Sequence, residues 1–258
     1  MITEPAQPFD FTHTPFAVRN DLPAAFQDIW RKLRQPGSWF TAEDRIAIAH
    51  EVRHAAHCTL CAERAAALSP DAIQGTHTSQ TNLPTAVVDA VHRITRDAQR
   101  LSPAYLERFY AAGFSDAHYV ELLGIVVAVV SIDAFHDALS LPHEALPTPE
   151  VPQQQQSLPD QYRPPGASDS GAWVPTVKPD ALTASEADIY GGSSTIGNVL
   201  SAMSLVPESV RMLIALSNAQ YMPAAEVLNP KSNGGRAISR PQIELIAGRV
   251  SSLNECFY

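Results

Sequence analysis

An all-α fold is the class this sequence predicts, and three observations predict it. No stretch keeps the two-residue apolar alternation of a half-buried strand. Several stretches repeat apolar residues at helical spacing between helix start and stop signals. The most apolar run, "LLGIVVAVVSI" (122–132), sits inside a longer pattern that is apolar nearly all round, as a buried helix is.

Taken in order, residues 20–35 ("NDLPAAFQDIWRKLRQ") read as a short amphipathic helix, followed by a turn at "PGSW". The run 41–69 reads as one continuous helix. Thr41 is its N-cap, with Asp44 three residues on, and Pro70 closes it. A third helix covers roughly 84–98. The next has Ser102 as N-cap, Pro103 at its first position and Gly113 as its stop. The apolar helix starts at Ser115. Its middle has too little polar surface for a solvated face, which predicts burial in a core or a subunit interface, and a homo-oligomer. Glu121 and Asp133 border it and read as interface or capping residues.

From Pro147 the composition changes. "PTPEVPQQQQSLPDQYRPPGASDSGAWVPTVKP" is rich in proline and carries a glutamine run, so it reads as an extended linker or wrapping arm, with Trp173 as an anchor. Helical patterning resumes in "IGNVLSAMSLVPESVRMLIALSNAQYM" and "SRPQIELIAGRVSSLNECFY". The expected organisation is a first helical unit over 1–146, a linker over 147–181 and a second unit over 182–258.

The 258 residues are 45% hydrophobic and 17% charged, with a net charge of −9. That balance offers no basic face for nucleic acid and no polybasic segment for an anionic membrane. The apolar run 122–132 is too short to span a bilayer. The start "MITEPAQPFDFTHTP" has neither the basic nor the apolar region of a secretory signal, which predicts a cytoplasmic protein. In that compartment Cys58, Cys61 and Cys256 are expected as thiols. A C-x-x-C there points to redox chemistry or a metal more than to a structural disulfide. No haem, flavin or nucleotide motif occurs, so no cofactor is expected.

The two cysteine segments align with Cys58 opposite Cys256. Ile48 then meets Ile246, Ala49 meets Ala247 and Val52 meets Val250, which suggests an internal duplication. The second segment, "ELIAGRVSSLNEC", resembles the carboxymuconolactone decarboxylase and alkylhydroperoxidase D-like superfamily. The signature of that family places a glutamate twelve residues before a C-x-x-C, often with a histidine four residues after the second cysteine. Glu244 and Cys256 keep the interval. The first segment resembles the family through Cys58 and Cys61. It departs from it with Ile46 at the glutamate position and Ala65 at the histidine position.

The resemblance implies tandem repeats of the alkylhydroperoxidase D-like fold and thiol-dependent peroxide reduction. The electrons would come from a dithiol or protein reductant. By resemblance Cys61 attacks peroxide and Cys58 resolves. In the second repeat Cys256 would resolve and Glu244 would belong to a proton relay. The second redox residue of that repeat would fall at position 259. Some family members carry selenocysteine there, so an ending at Tyr258 fits a selenocysteine codon read as stop, or a truncation. Activity is then expected to be weak in the chain as given and higher in an extended one.

A thiol attacking peroxide must be ionised near neutral pH, and an imidazolium or a helix N-terminus provides this. His50, His54, His57 and Cys61 fall on one face of a continuous helix. His54, four residues before Cys58, is the expected partner of that thiol. His92 reads as a surface residue or a relay member, and His77, His118, His136 and His143 as surface residues. Three readings compete with the peroxidase: a buried reduced pair in a non-catalytic helical scaffold, a decarboxylase-type lyase, and a zinc site with His54, Cys58 and Cys61 as three ligands. No second C-x-x-C is present to complete a structural tetrahedral set.

Overall fold

The computed structural model describes residues 8–150 and 159–256. The glutamine run and both chain ends lie outside these residues. Ten α-helices are described: α1 (Asp21–Leu33), α2 (Ala42–His54), α3 (Thr59–Ala66), α4 (Thr85–Asp97), α5 (Pro103–Ala111), α6 (Asp116–Ala138), α7 (Asn198–Met203), α8 (Pro207–Gln220), α9 (Ala224–Val227) and α10 (Arg240–Leu253). The only strands among the described residues are two-residue pieces, β1 (Ala167–Ser168) and β2 (Thr176–Val177), paired antiparallel. The all-α class therefore holds, and the chain is predominantly helical.

α6 is the centre. Its buried positions run round the whole cylinder, from Tyr119 and Val120 through Ile125, Val129 and Ile132. α2, α4 and α8 pack around it. One chain thus supplies the cover that the sequence reading assigned to a core or a subunit interface. By length and composition α6 could cross a membrane, unlike the shorter run counted from sequence, and here it is the core helix. Ser115 caps it: its hydroxyl accepts from the His118 N–H, and the His118 ring faces the Ser115 N–H at 3.2 Å. Gly124 lets α8 approach, since a Cβ there would lie 2.5 Å from Ser209 Oγ and 2.8 Å from its Cβ. Two ion pairs tie α2 to α6. Arg45 Nη1 meets Glu121 Oε1 at 3.1 Å in the interior, and Arg53 meets Asp133 in a two-pronged bond.

α1 follows the amphipathic reading, with Leu22, Phe26, Ile29, Trp30 and Leu33 buried. Phe9 stacks edge-on against Trp30 and lies 5.9 Å from the His136 ring. His136 is consequently buried, contrary to the surface placement expected of it. Beyond the linker, Met203, Leu205, Val206, Val210, Met212 and Leu216 join the same core as α1 and α6. The arm before them does wrap: Gln161 N–H donates to Ser38 O at 2.8 Å, and Arg163 pairs with Asp116. Its anchors are Val174, Thr176 and Val177, which are buried. Trp173, expected as the anchor, is 48% exposed.

Candidate functional site

The run 41–69 is not one helix. Thr41 does cap α2, its hydroxyl accepting from the Asp44 N–H at 3.1 Å. The helix then ends at His54, and a 3₁₀ turn spans Ala55–His57. Cys58 adopts an extended backbone, φ −80° and ψ 121°, and becomes the N-cap of α3. Cys61 sits in the first turn of that helix. The break changes the neighbours of both thiols. His50 and His57 are exposed, and His54 turns its Nε2 to Thr78 Oγ1 at 3.2 Å. The expected His54–Cys58 partnership is therefore not formed, because it required the helix to continue.

Two other histidines take the place. His77 comes from the loop between α3 and α4, and its Nδ1 lies 3.4 Å from the sulfur of Cys58 and 3.4 Å from that of Cys61. His92 comes from α4, and its Nδ1 lies 3.4 Å from Cys61 Sγ. The two Nδ1 atoms are 3.0 Å apart. All four residues are buried, and their ligand-type atoms lie within 4.8 Å of one another. The surface placement expected of His77 is thus corrected, and His92 joins the cluster.

Each imidazole is held from behind. His92 Nε2 faces Glu51 Oε2 at 2.9 Å, and His77 Nε2 faces Asp89 Oδ1 at 2.9 Å. A carboxylate only accepts, so His92 Nε2 carries the proton and donates it; His77 Nε2 lies between Asp89 Oδ1 and the donor Arg64 Nη1, 3.1 Å away, and donates to Asp89 in the tautomer that the carboxylate favours. Glu51 also accepts from Ser79 Oγ at 2.7 Å, Gln80 N at 2.9 Å and Thr81 Oγ1 at 2.7 Å. Asp89 also accepts from Arg64 Nη1 at 2.8 Å. The arrangement is two parallel chains, Cys61–His92–Glu51 and Cys58–His77–Asp89, meeting at the imidazoles.

Electrostatics separates the two thiols. Burial opposes ionisation of Cys58, but bonds from the Cys61 N–H, His77 and Thr78 outweigh it and bring the thiol down to about 5. The Cys61 N–H belongs to the open N-terminal turn of α3, where backbone donors lack helical partners. Burial, then the charge of Cys58 and a bond to it, pushes Cys61 up to about 12. Glu51 is driven up by burial and down more strongly by its four donors, to about 2. Asp89 is also brought to about 2, with His77 and Arg64 overcoming burial. Burial lowers His77, while Asp89 and Cys58 raise it further, for a net upward shift. The thiolate is thus favoured at Cys58, the cysteine to which the resemblance gave the resolving role.

Glu244 and Cys256 lie elsewhere. Glu244 is on the exposed side of α10 and accepts from Tyr221 Oη at 2.6 Å and Arg240 Nε at 2.5 Å. α10 ends at Leu253, so Cys256 follows the helix rather than sitting on it, and it is exposed. No histidine contacts either residue among the described bonds.

Glu51, His77 and Asp89 were not singled out from sequence. Glu51 did leave a signal, an acidic residue among the apolar positions Ile48, Ala49 and Val52 of α2, all buried. The stretch "THTSQT" (76–81) left another, with hydroxyl donors flanking a histidine in a short loop. The four-ligand set that no local spacing supplied is completed by the two histidines of distant elements. Protein-family models, curated proteins and solved structures contain no match to this chain.

Proposed function

We propose that the chain reduces peroxides through the Cys58–Cys61 dithiol, in the manner of the alkylhydroperoxidase D-like superfamily. One observation carries the reading. Two free thiols three residues apart share a buried site in which each contacts an imidazole backed by a carboxylate. The thiolate of Cys58 attacks the terminal oxygen of ROOH, the O–O bond breaks, and RO⁻ leaves with a proton from His77. Cys58 is then a sulfenic acid. Cys61 passes its proton to His92 and attacks the Cys58 sulfur, forming the disulfide and expelling water. Two thiols and one ROOH have become one disulfide, ROH and H₂O. An external dithiol returns the pair to the reduced state. Glu51 and Asp89 are positioning residues that fix which imidazole nitrogen faces sulfur.

The test uses chelator-treated protein carrying Cys256→Ser and a sub-stoichiometric pulse of hydrogen peroxide or an organic hydroperoxide. Two thiols are lost per peroxide, and peptide mapping finds a 58–61 disulfide. Cys58→Ser abolishes the loss. His77→Ala slows it by about 10²–10⁴-fold, the range of a positioned acid–base group. Both thiols remaining free, with neither over-oxidised, would overturn the proposal.

A further inference from the structure

The four atoms that meet at the centre of this site have the geometry of a ligand set. From Zn–S of about 2.3 Å and Zn–N of about 2.0–2.1 Å, a tetrahedral site has edges of about 3.3 Å between nitrogens and about 3.6 Å between nitrogen and sulfur. The corresponding distances here are 3.0 Å for His77 Nδ1 to His92 Nδ1 and 3.4 Å for three nitrogen–sulfur pairs. The remaining two pairs lie within 4.8 Å. The four measured edges thus fall within a few tenths of an ångström of the ideal.

Hydrogen bonding points the same way. Each Nε2 faces a carboxylate, so a ring in its neutral form with the proton on Nε2 presents a bare Nδ1 to the centre. Two facing lone pairs at 3.0 Å need a positive charge between them, either a proton on one ring or a metal ion. Carboxylate behind imidazole is also the usual outer support of a metal-bound histidine, fixing its tautomer and direction. The ligands come from three separate elements, the N-terminus of α3, the 70–84 loop and α4, so an ion would tie these three elements together at one point. Among the described residues the two cysteines form a small buried cluster with Leu60, and Ile73 packs against it.

We propose that Cys58, Cys61, His77 and His92 bind one soft divalent cation of the Zn²⁺ class as a closed Cys₂His₂ site. Thiolate and imidazole donors select that class over hard cations. The inference stands apart from the peroxide reading. It also limits when that chemistry runs, since an ion holding both sulfurs and both imidazoles leaves no free thiolate or acid. The metal-bound chain is the protected form and the metal-free chain the dithiol.

The experiment is a Co²⁺ titration of the reduced full chain after chelation, followed by Zn²⁺. One equivalent is expected, with the visible bands of tetrahedral cobalt and thiolate-to-cobalt charge transfer, both erased by Zn²⁺. Cys256→Ser leaves the titration unchanged. His77→Ala and Cys61→Ser abolish the tetrahedral spectrum, and Glu51→Gln weakens affinity by about 10–100-fold through its support of His92. A measurement on unmutated protein guards against variants that fail to fold. Zn²⁺ must block alkylation of Cys58 and Cys61 while Cys256 still reacts. A reduced, folded chain that gives no tetrahedral spectrum, or whose Cys58 and Cys61 alkylate equally with Zn²⁺ present, overturns the proposal. Peroxide-driven thiol loss in chelated protein is read separately, so either proposal can fail alone.

Discussion

α2 and α10 carry the same apolar register and meet opposite fates. Ile48 is fully buried, whereas its counterpart Ile246 is 56% exposed; Val52 is 4% exposed and Val250 51%. α2 lies against α4 and α6, and α10 buries only Ile243. The acidic residues diverge with them. Glu51 is sealed under four donors, and Glu244 bonds Tyr221 and Arg240 at the surface. The cysteines follow: Cys58 enters a four-residue cluster, and Cys256 stands beyond a helix end in solvent-facing chain. A sequence register states which residues share a helix face. Whether that face is covered, and so whether a thiol beside it meets an imidazole or water, depends on the elements that pack against it.

The largest contrast is expected between the two glutamates. Glu51→Ala strands a buried imidazole and three further donors, and breaking such an internal charged network costs about 3–5 kcal/mol. Glu244→Ala leaves the urea midpoint unchanged. Equal midpoints for the two variants would erase the distinction between the sites. The paired isoleucines come next. Ile48→Ala removes a fully buried side chain and lowers stability by about 2–5 kcal/mol, while Ile246→Ala stays within about 0.5 kcal/mol. Denaturant unfolding of both variants on the same day measures the gap.

The acid limb of stability sharpens the comparison further. The Glu51 carboxyl is held at about 2, below its ordinary 4.5, so its stabilisation is present above pH 4.5. That contribution is lost as pH falls from 4.5 towards 2. The unfolding midpoint of chelated protein should therefore fall over that window. A Glu51→Gln variant, less stable at neutral pH, should show a shallower acid limb; identical limbs would remove Glu51 from the account. The smallest effect expected is kinetic. In chelated Cys256→Ser protein, iodoacetamide should modify Cys58 with a pH midpoint near 5, and His77→Ala should move that midpoint upward. A midpoint in the ordinary thiol range, about 8.5, would return Cys58 to an unactivated core cysteine.

Much of the fold was legible because its signals are local. Thr41, Ser115, Pro103 and Gly113 mark helix ends through their own backbone and side-chain chemistry. The apolar circumference of α6 required burial whatever covered it. The break at Ala55–His57 was less legible. Alanine and histidine interrupt no periodicity, and the extended Cys58 is held there by contacts from the 70–84 loop. That one break moved His54 away from the thiols and opened the N-terminus of α3 to Cys58.

The sequence by itself therefore determined the helical class, the positions of most helix starts, and the pairing of Cys58 with Cys61, because each depends on residues within about one turn. Tertiary structure alone decided the rest of the site. His77 lies 16 residues from Cys61, His92 lies 31 and Glu51 meets His92 across 41. Contacts at such separations follow from which helix faces pack together, and side-chain periodicity along one element carries no information about its neighbours. The same physics left Ile246 and Val250 uncovered while burying Ile48 and Val52 in an identical register.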